Sequence, residues 1–223
     1  MDILDLDLFL GADDTELEFE IGDFDFNADL VSQETRYTKP KFASRPIFVN
    51  YANAKQLAKK VQLYPGEQVH GIVKGDFIFG DFIEALLIEK DVVCDKMHVS
   101  TLSMSQNNID SFAGLMQAKV IDELTLVLSN YFYSHEKRVM IPYLLNELDI
   151  DNRFDCRICR NHTKIILMEI ANLKLVITGS SNLRSSQSIE QFCMQESAEL
   201  YQFYLDWFKS LEQYSIINRE VGK

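Results

Sequence analysis

Two short groups of polar residues in the C-terminal half of the chain contain the residue types needed to attack a phosphodiester. His162 and Lys164 are separated by one residue in the segment NHTK, and residues 179–182 follow with the segment GSSN. An imidazole can act as a nucleophile, an ammonium can hold a phosphate oxygen, and hydroxyl and amide groups can donate hydrogen bonds to it. A turn of small residues also lets the backbone approach a phosphate. Together the two groups predict a site that holds and attacks phosphorus.

The residues between these two groups predict how they meet. Residues 163–170 and 173–178 are typical of two strands that form a hairpin through residues 171–172. Side chains two residues apart on a strand leave the same face, so His162 and Lys164 are expected on one face of the sheet. The hairpin would then bring HTK and GSSN together.

The rest of the chain alternates between strand and helix patterns. Helices are predicted over 52–60, 83–89, 108–117 and 139–148, the third of them beginning near Ser105, and strands over 68–73, 97–104, 124–129 and 154–160. The segment from Glu190 to Tyr214 is predicted as a closing helix, with the apolar stripe around Trp207 in the core. This order predicts an α/β/α sandwich with a mostly parallel mixed sheet and helices on both faces.

The pair of motifs resembles a known family signature. HTK followed by GSSN is similar to the HxK and GSxN motifs of the phospholipase D superfamily, which includes nucleases. The segment Ser188-Ile189-Glu190 stands where these proteins often carry a small or polar residue followed by Glu. The order of elements upstream fits the α/β/α half of the superfamily. The resemblance therefore extends over residues 68 to 214 and implies a phospholipase D-like fold.

The resemblance implies a role for each matching residue. His162 would be the nucleophile that forms a phosphohistidine, or its general-acid counterpart. Lys164 and Asn182 would hold phosphate oxygens, with Ser180 supporting them by hydrogen bonds. Glu169 stands where the family usually has Asp, and it would orient an imidazole. The further residues expected to bind substrate are Ser181, Arg160, Arg184 and Glu190.

The expected chemistry needs two imidazoles, one to attack and one to protonate the leaving oxygen. One HxK segment, HTK, is linked to a GSxN segment by the predicted hairpin. His70 and His98 lack a lysine two residues on, and His135-Glu136-Lys137 has the HxK spacing without such a partner segment. Those three are interpreted as ordinary polar or packed residues. The resemblance to single-motif members implies a homodimer in which two copies of His162 meet across a two-fold axis. It also implies that neither a metal nor another cofactor is needed.

The cysteines favour inert thiols in a reducing cytoplasm. Cys156 and Cys159 form a CxxC pattern, but on a strand their side chains face opposite sides, which disfavours a metal site with His162. Four scattered cysteines are too few for a disulfide framework, and the chain opens with the acidic segment MDILDLDLF. No stretch approaches the roughly 20 apolar residues that span a bilayer, so no membrane association is expected.

The formal net charge of −12 is concentrated at one end of the chain. Residues 1–34 hold twelve acidic side chains and no Lys or Arg, which leaves 22 of each sign in the remainder. We therefore predict an acidic, flexible arm over 1–40 and a phospholipase D-like domain over 41–223. The arm is either a loosely attached tail, a docking peptide for a partner protein, or a phosphate mimic that covers a basic site of the same chain.

Basic residues near the motifs favour a nucleic-acid substrate. The residues in question are Arg153, Arg157, Arg160, Lys174 and Arg184, with Lys137 and Arg138 earlier in the chain. The sequence offers no amphipathic helix with basic flanks for a membrane, so DNA is favoured over phospholipid. The favoured function is a metal-independent DNA nuclease. The alternative is a catalytically inactive binding or assembly protein that uses the acidic arm to recruit a partner.

Overall fold

The part of the chain that positions the two motifs is well defined. The computed structural model describes residues 36–39, 47–50, 53–74, 77–184 and 188–217, with only the backbone described for 47–50. The acidic segment 1–34 and the transition through Pro40 and Pro46 lie outside the described residues. The predicted arm and its boundary therefore remain predictions.

The described residues form one eight-stranded sheet. Its strands are β1 (Ile47–Asn50), β2 (Gln68–Lys74), β3 (Cys94–Thr101), β4 (Ile121–Ser129), β5 (Phe154–Cys159), β6 (Ile165–Ile170), β7 (Leu173–Gly179) and β8 (Ile189–Glu196). The order across the sheet is β1-β2-β8-β7-β6-β3-β4-β5. The last strand along the chain, β8, thus lies between β2 and β7, in the interior of the sheet.

Six helices accompany the sheet in the described part of the chain. They are α1 (Ala54–Lys60), α2 (Phe79–Lys90), α3 (Gln106–Gln117), α4 (Asn130–Glu136), α5 (Met140–Leu148) and α6 (Ala198–Lys209), and a 3-10 turn follows at Glu212–Tyr214. The helix predicted from near Ser105 begins with that residue as its N-cap, in a capping box with Asn108. The predicted strands and helices before residue 180 are present with shifted ends, whereas β1 and α4 were not predicted.

The sheet is mixed, as predicted, but parallel pairing does not predominate. Strands β1 to β5 and β7 run in one direction, and β6 and β8 run in the other. Because these two reversed strands are interleaved with the others, four of the seven neighbouring pairs are antiparallel. The expectation of a mostly parallel sheet is wrong in this respect, since it took no account of a late strand entering the middle of the sheet.

Alternating side chains on the strands supply two hydrophobic layers, and this confirms the predicted α/β/α sandwich. On β6, Ile166 and Met168 lie in a large core with residues of α1, α2, α3 and α5. Ile165 and Leu167 point the other way, into a smaller core that includes Phe208 of α6. Such alternation is what a strand buried on both faces requires.

The prediction of one helix from Glu190 to Tyr214 is wrong over its first part. Residues 189–196 form β8, which pairs with β2 and β7, and Ser197 then caps α6. Phe192 and Met194 are two residues apart and both are buried in the large core. That period of two is the strand pattern, and pairing with distant strands overrides the helical periodicity of the residues that follow. The stripe predicted for the core is confirmed by Phe208 and Leu211, which are buried.

The outer edge of β5 is covered by the chain that follows α6. Ser215 forms an antiparallel bridge with Arg157, and the Ile216 amide donates a hydrogen bond of 2.8 Å to the Cys156 carbonyl oxygen. The Ser215 hydroxyl also donates to Asp155. The exposed side of the edge strand is thereby partly hydrogen-bonded.

Candidate active site

The two motifs meet at one edge of the sheet, as the predicted hairpin requires. This edge holds the carboxyl ends of β3, β4 and β7 and the amino end of β6. Residues 161–164 precede β6 and residues 180–182 follow β7. The Gly179 amide donates a hydrogen bond of 3.3 Å to the Lys164 carbonyl oxygen, which ties the two segments together.

His162 and Lys164 lie in a loop rather than on a strand, so that part of the prediction is wrong. The buried side chain of Asn161 causes the departure from strand geometry. Its Oδ1 accepts hydrogen bonds from the Thr163 amide at 2.9 Å and from the Thr163 hydroxyl at 2.8 Å. Such local side-chain to backbone bonds compete with a strand ladder. The pairing of β6 with β3 accordingly begins at Ile165, opposite Ser100.

Asn161 also anchors this loop to the sheet, and sequence reasoning missed it. Its Nδ2 donates to the Ser100 hydroxyl at 2.8 Å, with longer contacts to the carbonyl oxygens of Thr101 and Val127. The Ser100 hydroxyl is in turn 2.6 Å from that of Thr163. A buried network in which each member has a partner fixes one geometry. The signal in the sequence was an amide residue directly before the HxK motif.

The side chains of Lys164 and His162 are in direct contact. Lys164 Nζ lies 3.1 Å from His162 Nδ1 and 3.5 Å from Nε2, and it donates a hydrogen bond of 2.7 Å to the His162 carbonyl oxygen. An ammonium has no acceptor, so a hydrogen bond between these groups requires a lone pair on an imidazole nitrogen. That lone pair is occupied while Lys164 donates to it, so attack on phosphorus requires the ammonium to turn to a phosphate oxygen first.

Lys164 is only partly exposed to solvent. Partial burial lowers the pKa of its ammonium, and the charge of Glu190 opposes that shift. Lys164 borders a small cavity between the strands and α2. The other lining residues are Phe79, Ser100, Thr101, Ile165, Ile166, Ile177, Thr178, Gly179, Ser181, Leu183 and Phe192. A cation that is partly desolvated interacts more strongly with an incoming anion than a fully hydrated one.

Ser180 and Glu190 form a second pair beside the lysine. The Ser180 hydroxyl donates to a carboxylate oxygen of Glu190 and accepts a hydrogen bond of 3.1 Å from the Gln191 amide. The Ser180 amide donates to the Gln191 carbonyl oxygen at 3.0 Å. Gly179 permits this close approach, because a Cβ there would lie 2.5 Å from that same carbonyl oxygen. The start of β8 therefore contributes the carboxylate of this site.

Asn182 is held so that its amide nitrogen remains the available end of the group. Its Oδ1 accepts a hydrogen bond from the Leu102 amide at 3.2 Å and lies 3.3 Å from the Thr101 hydroxyl, whose one proton also has the Ser103 carbonyl oxygen at 3.0 Å. The Leu102 amide orients the side-chain amide of Asn182, and Nδ2 is then directed away from it. Ser181 is buried, and its hydroxyl donates to the Asn182 carbonyl oxygen at 3.2 Å, so it supports the turn.

Glu169 is not brought to this group. It lies four residues beyond Ile165 on β6, about 13 Å along the strand. There it is paired across the sheet with Lys96 and Lys174, and its carboxylate forms an ion pair with the Lys174 ammonium. Since β6 is a regular strand, a residue this far along it belongs to the opposite edge. The carboxylate that does lie at the site is Glu190.

Three of the basic residues expected to surround the motifs have structural partners elsewhere. Lys174 belongs to the opposite edge with Glu169. Arg153 donates to the carbonyl oxygens of Met116, Ile121 and Asp122. Arg157 is buried and bonds Asp155 and the Phe208 carbonyl oxygen. The expected basic cluster is therefore smaller than the sequence indicated, because alternate residues of a strand leave on opposite faces and its two ends lie at opposite edges.

Arg160 and Arg184 are exposed and adjoin the motif segments. Arg160 directly precedes the Asn161 loop, and Arg184 follows the GSSN turn by one residue. Within the described part of the chain, neither guanidinium takes part in an ion pair. Both can contact an anion bound at this edge.

The two cysteines of the CxxC pattern face opposite sides of the sheet, as predicted. Cys156 belongs to the large core and Cys159 to the small one. Burial raises the pKa of the Cys159 thiol to about 11 and that of Cys156 further. Both are free thiols, which is the inert state predicted for them. Across the described ranges, no group of three or more His, Cys, Asp or Glu side chains is arranged to hold a metal ion.

The remaining histidines occupy separate positions. His70 lies on β2, His98 on β3 next to Phe208, and His135 on α4. Burial, with further contributions from Arg157 and Lys96, lowers the pKa of His98 to about 4. His135 and Lys137 have the HxK spacing, but His135 lies in the last turn of α4 and Lys137 is the C-cap of that helix.

Comparison with known proteins identifies the fold. No protein-family model matches this sequence, and no curated protein does. Among solved structures, NucT from Helicobacter pylori is 12% identical and has a TM-score of 0.50, with 67% of this chain and 98% of NucT covered. Nuc from Salmonella typhimurium, a phospholipase D family member, is 16% identical with a TM-score of 0.49, covering 69% of this chain and all of Nuc.

A third similar structure is phosphatidylserine synthase from Haemophilus influenzae, 12% identical with a TM-score of 0.49. It covers 68% of this chain and 40% of the synthase. Identities this low bear on the fold alone. The chain shares the α/β fold of NucT, and an α/β fold is what the sequence predicted. No helix in the described residues is long and apolar enough to cross a membrane.

Proposed function

We propose that this protein is a metal-independent phosphodiester hydrolase that cuts DNA through a phosphohistidine formed on His162. The observation that carries the proposal is the direct contact between Lys164 and the His162 imidazole at the edge where the Asn182 amide is also directed. An imidazole, an ammonium and an amide supply the nucleophile and the oxygen-binding groups of a phosphoryl transfer. They do so without requiring a metal ion.

The proposed reaction has two steps. In the first, a lone pair on a nitrogen of His162 forms a bond to phosphorus, the bond from phosphorus to the leaving oxygen breaks, and a second imidazole gives that oxygen a proton. In the second, water attacks phosphorus, the second imidazole takes a proton from the water, and the N–P bond breaks. The products are an alcohol and a phosphate monoester, and His162 is restored. Lys164 and Asn182 would hold the non-bridging oxygens throughout.

The second imidazole is proposed to be His162 of the partner subunit in a homodimer. A two-fold axis through the site would place two identical motifs face to face, so that each chain supplies one imidazole. His162 is exposed and the site opens at an edge of the sheet, which leaves the imidazole accessible to another copy. Arg160 and Arg184 of both copies would then flank one DNA backbone.

The deciding experiment is cleavage of supercoiled plasmid and of single-stranded DNA in EDTA, under identical conditions for each protein. We expect wild-type protein to cut and His162→Ala to lose at least about 1000-fold of the rate. The matched control is His70→Ala, which removes an imidazole from β2 and should cut like wild type. An acid-labile phosphoryl label on wild-type protein, absent from His162→Ala, would support the covalent step. Equal cutting by wild type and His162→Ala would contradict the proposal.

The dimer has its own test. Mixing wild-type protein with excess His162→Ala should lower activity as subunits exchange, because a mixed dimer holds one imidazole. Sedimentation should report a dimer at the concentrations used. A monomer with full activity would contradict the shared site without contradicting the nuclease.

A second candidate function is a catalytically inactive binding or assembly protein in which the acidic arm recruits a partner. The observation that favours it is that the site is bonded within itself, Lys164 to His162 and Ser180 to Glu190. No cutting by any variant, with or without residues 1–34, would support this function. Higher cutting or tighter DNA binding after removal of residues 1–34 would instead indicate an arm that covers the site. The free, buried thiols suit the reducing cytoplasm that we propose as the location.

A further inference from the structure

Helix α4 presents an exposed aromatic surface beside the candidate active site. Tyr131 is 63% exposed, and its ring lies 4.1 Å from that of His135 with the planes tilted by 35°. The two residues are four apart, so they share one face of the helix, and Phe132 points into the core. The His135 ring nitrogen Nδ1 is 2.7 Å from the Tyr131 carbonyl oxygen. One face of a held tyrosine ring is thus available to solvent.

This surface is connected to the site by a short series of contacts. Ser129 ends β4 and caps α4, and its hydroxyl donates to the Leu102 carbonyl oxygen at 2.7 Å. The Leu102 amide donates to Asn182, which belongs to the proposed phosphate-binding group. Ser129 is also paired with Cys159, three residues before His162. The aromatic surface and the nucleophile therefore lie at the same edge of the sheet.

The residues after α4 add positive charge to an exposed strip. Lys137, Arg138 and Val139 are all exposed, and Val139 is 72% exposed. Lys137 Nζ lies 5.9 Å from the centre of the Tyr133 ring. Glu136 is the acidic neighbour on the same helix. Tyr131 is thus followed along the chain by two exposed cations, Lys137 and Arg138, which suit a polyanion that also carries flat apolar groups.

We propose that Tyr131, supported by His135 and followed along the chain by the exposed Lys137 and Arg138, is a stacking surface for a base of single-stranded DNA that runs to the His162 site. Exposed aromatic rings beside cationic side chains are the usual means of binding single strands, because any base offers a face to stack on. Paired bases in a duplex are already stacked and do not offer that face. The inference rests on the proposed DNA substrate, and it adds a preference for single strands that the phosphate-binding groups do not provide.

The test measures binding without cleavage. Full-length protein carrying His162→Ala is titrated into three labelled ligands by fluorescence anisotropy at fixed salt: a thymidine 20-mer, the same backbone without bases, and a 20-base-pair duplex. We expect the 20-mer to bind about tenfold more tightly than the abasic strand. Adding Tyr131→Ala should remove that difference by weakening the 20-mer only, and Tyr131→Phe should retain it.

Tyr64 offers a matched control. It is 61% exposed, similar to Tyr131, but it lies in the loop before β2, at the opposite edge of the sheet. Tyr64→Ala should leave all three dissociation constants unchanged. Unchanged binding of the 20-mer by Tyr131→Ala, or an equal loss for the 20-mer and the abasic strand, would overturn the proposal. These outcomes are separate from those of the cleavage experiment, since a stacking surface can be present on an inactive protein and absent from an active one.

Discussion

The strand pair β6–β7 has a lysine and a glutamate near each of its two ends, and the two pairs differ in what they bond. At the hairpin end, the Lys174 ammonium and the Glu169 carboxylate form an ion pair. At the other end, Lys164 bonds His162, while Glu190 bonds Ser180. Glu190 acts on Lys164 through its negative charge, which opposes the lowering of the Lys164 pKa by burial. The same two residue types thus neutralise each other at one edge, and at the other the lysine remains able to meet an external anion.

The largest effect should come from replacing Lys164 at the active-site end, with the replacement of Lys174 at the hairpin end as its control. Lys164→Met should lower the rate of DNA cleavage by about 1000-fold, because the group that holds a phosphate oxygen is lost. Lys174→Met, the matched control, should change the rate by less than about twofold. Single-turnover cleavage of single-stranded DNA measures both. Equal losses would mean that the difference between the two ends has no functional meaning.

The next effect concerns the network that holds the loop at the active end. Asn161→Leu removes the donor to the Ser100 hydroxyl and leaves the Thr163 amide without its acceptor, and we expect the free energy of unfolding to fall by about 2 to 3 kcal/mol. Asn161→Asp keeps the acceptor for Thr163 and should lose less. Cleavage should fall with Asn161→Leu through kcat at unchanged KM, because the imidazole is misplaced. Asn172→Ala, at the exposed hairpin turn, should change stability by less than about 0.5 kcal/mol in urea titrations.

A smaller effect should appear as a pH dependence of the free energy of unfolding that arises from His98 on β3. The pKa of His98 is lowered by burial from its usual 6.5 to about 4, so the folded protein holds this proton less tightly than the unfolded chain does. The stability that depends on neutral His98 is complete above pH 6.5 and falls as pH decreases towards 4. The charges that act on the imidazole are those of Arg157, Lys96, Lys209 and Glu169.

His98→Leu removes this titration. The stability difference between wild type and His98→Leu should shift by about 2 kcal/mol in favour of the variant between pH 7 and pH 5. Urea unfolding at both pH values measures it, and the difference between variants cancels the carboxylates that titrate in the same range. A constant difference would show that His98 is protonated as easily in the fold as outside it.

The smallest effect is expected from the ion pair at the hairpin end. A double-mutant cycle of Lys174→Met and Glu169→Gln should give a coupling energy below about 1 kcal/mol, since both side chains are more than a quarter exposed. DNA cleavage should be unchanged in all three variants. A loss of cleavage in Glu169→Gln would restore a functional role to this carboxylate and contradict its separation from the site.

The features predicted correctly from the sequence are those that depend on neighbouring residues. The hairpin, and with it the meeting of HTK and GSSN, follows from a strand pattern on each side of Ala171 and Asn172. The start of α3 near Ser105 is also local. The opposite orientation of Cys156 and Cys159 follows from strand periodicity alone.

The features predicted incorrectly depend on distant pairing. Strand β8 is stabilised by pairing with β7 and with β2, which is remote from it in sequence. The helical periodicity of the residues that follow β8 therefore misled the prediction. Glu169 lies away from the site because position along a sequence does not say which edge of a sheet a residue reaches, and Arg157 is held by Asp155 and the Phe208 carbonyl oxygen, which the sequence alone does not show. Asn161 was missed because its partners, Ser100 and Val127, come from two other strands.

The segment that covers β5 has a consequence for how this protein behaves in solution. An uncovered edge strand offers its backbone groups to any other extended chain, which favours aggregation through edge-to-edge pairing. Ser215 and Ile216 occupy part of that edge, and Ile216 and Ile217 also pack against the large core. A truncation that removes residues 212–217 should therefore yield a protein that self-associates, even though every residue of the candidate active site is retained.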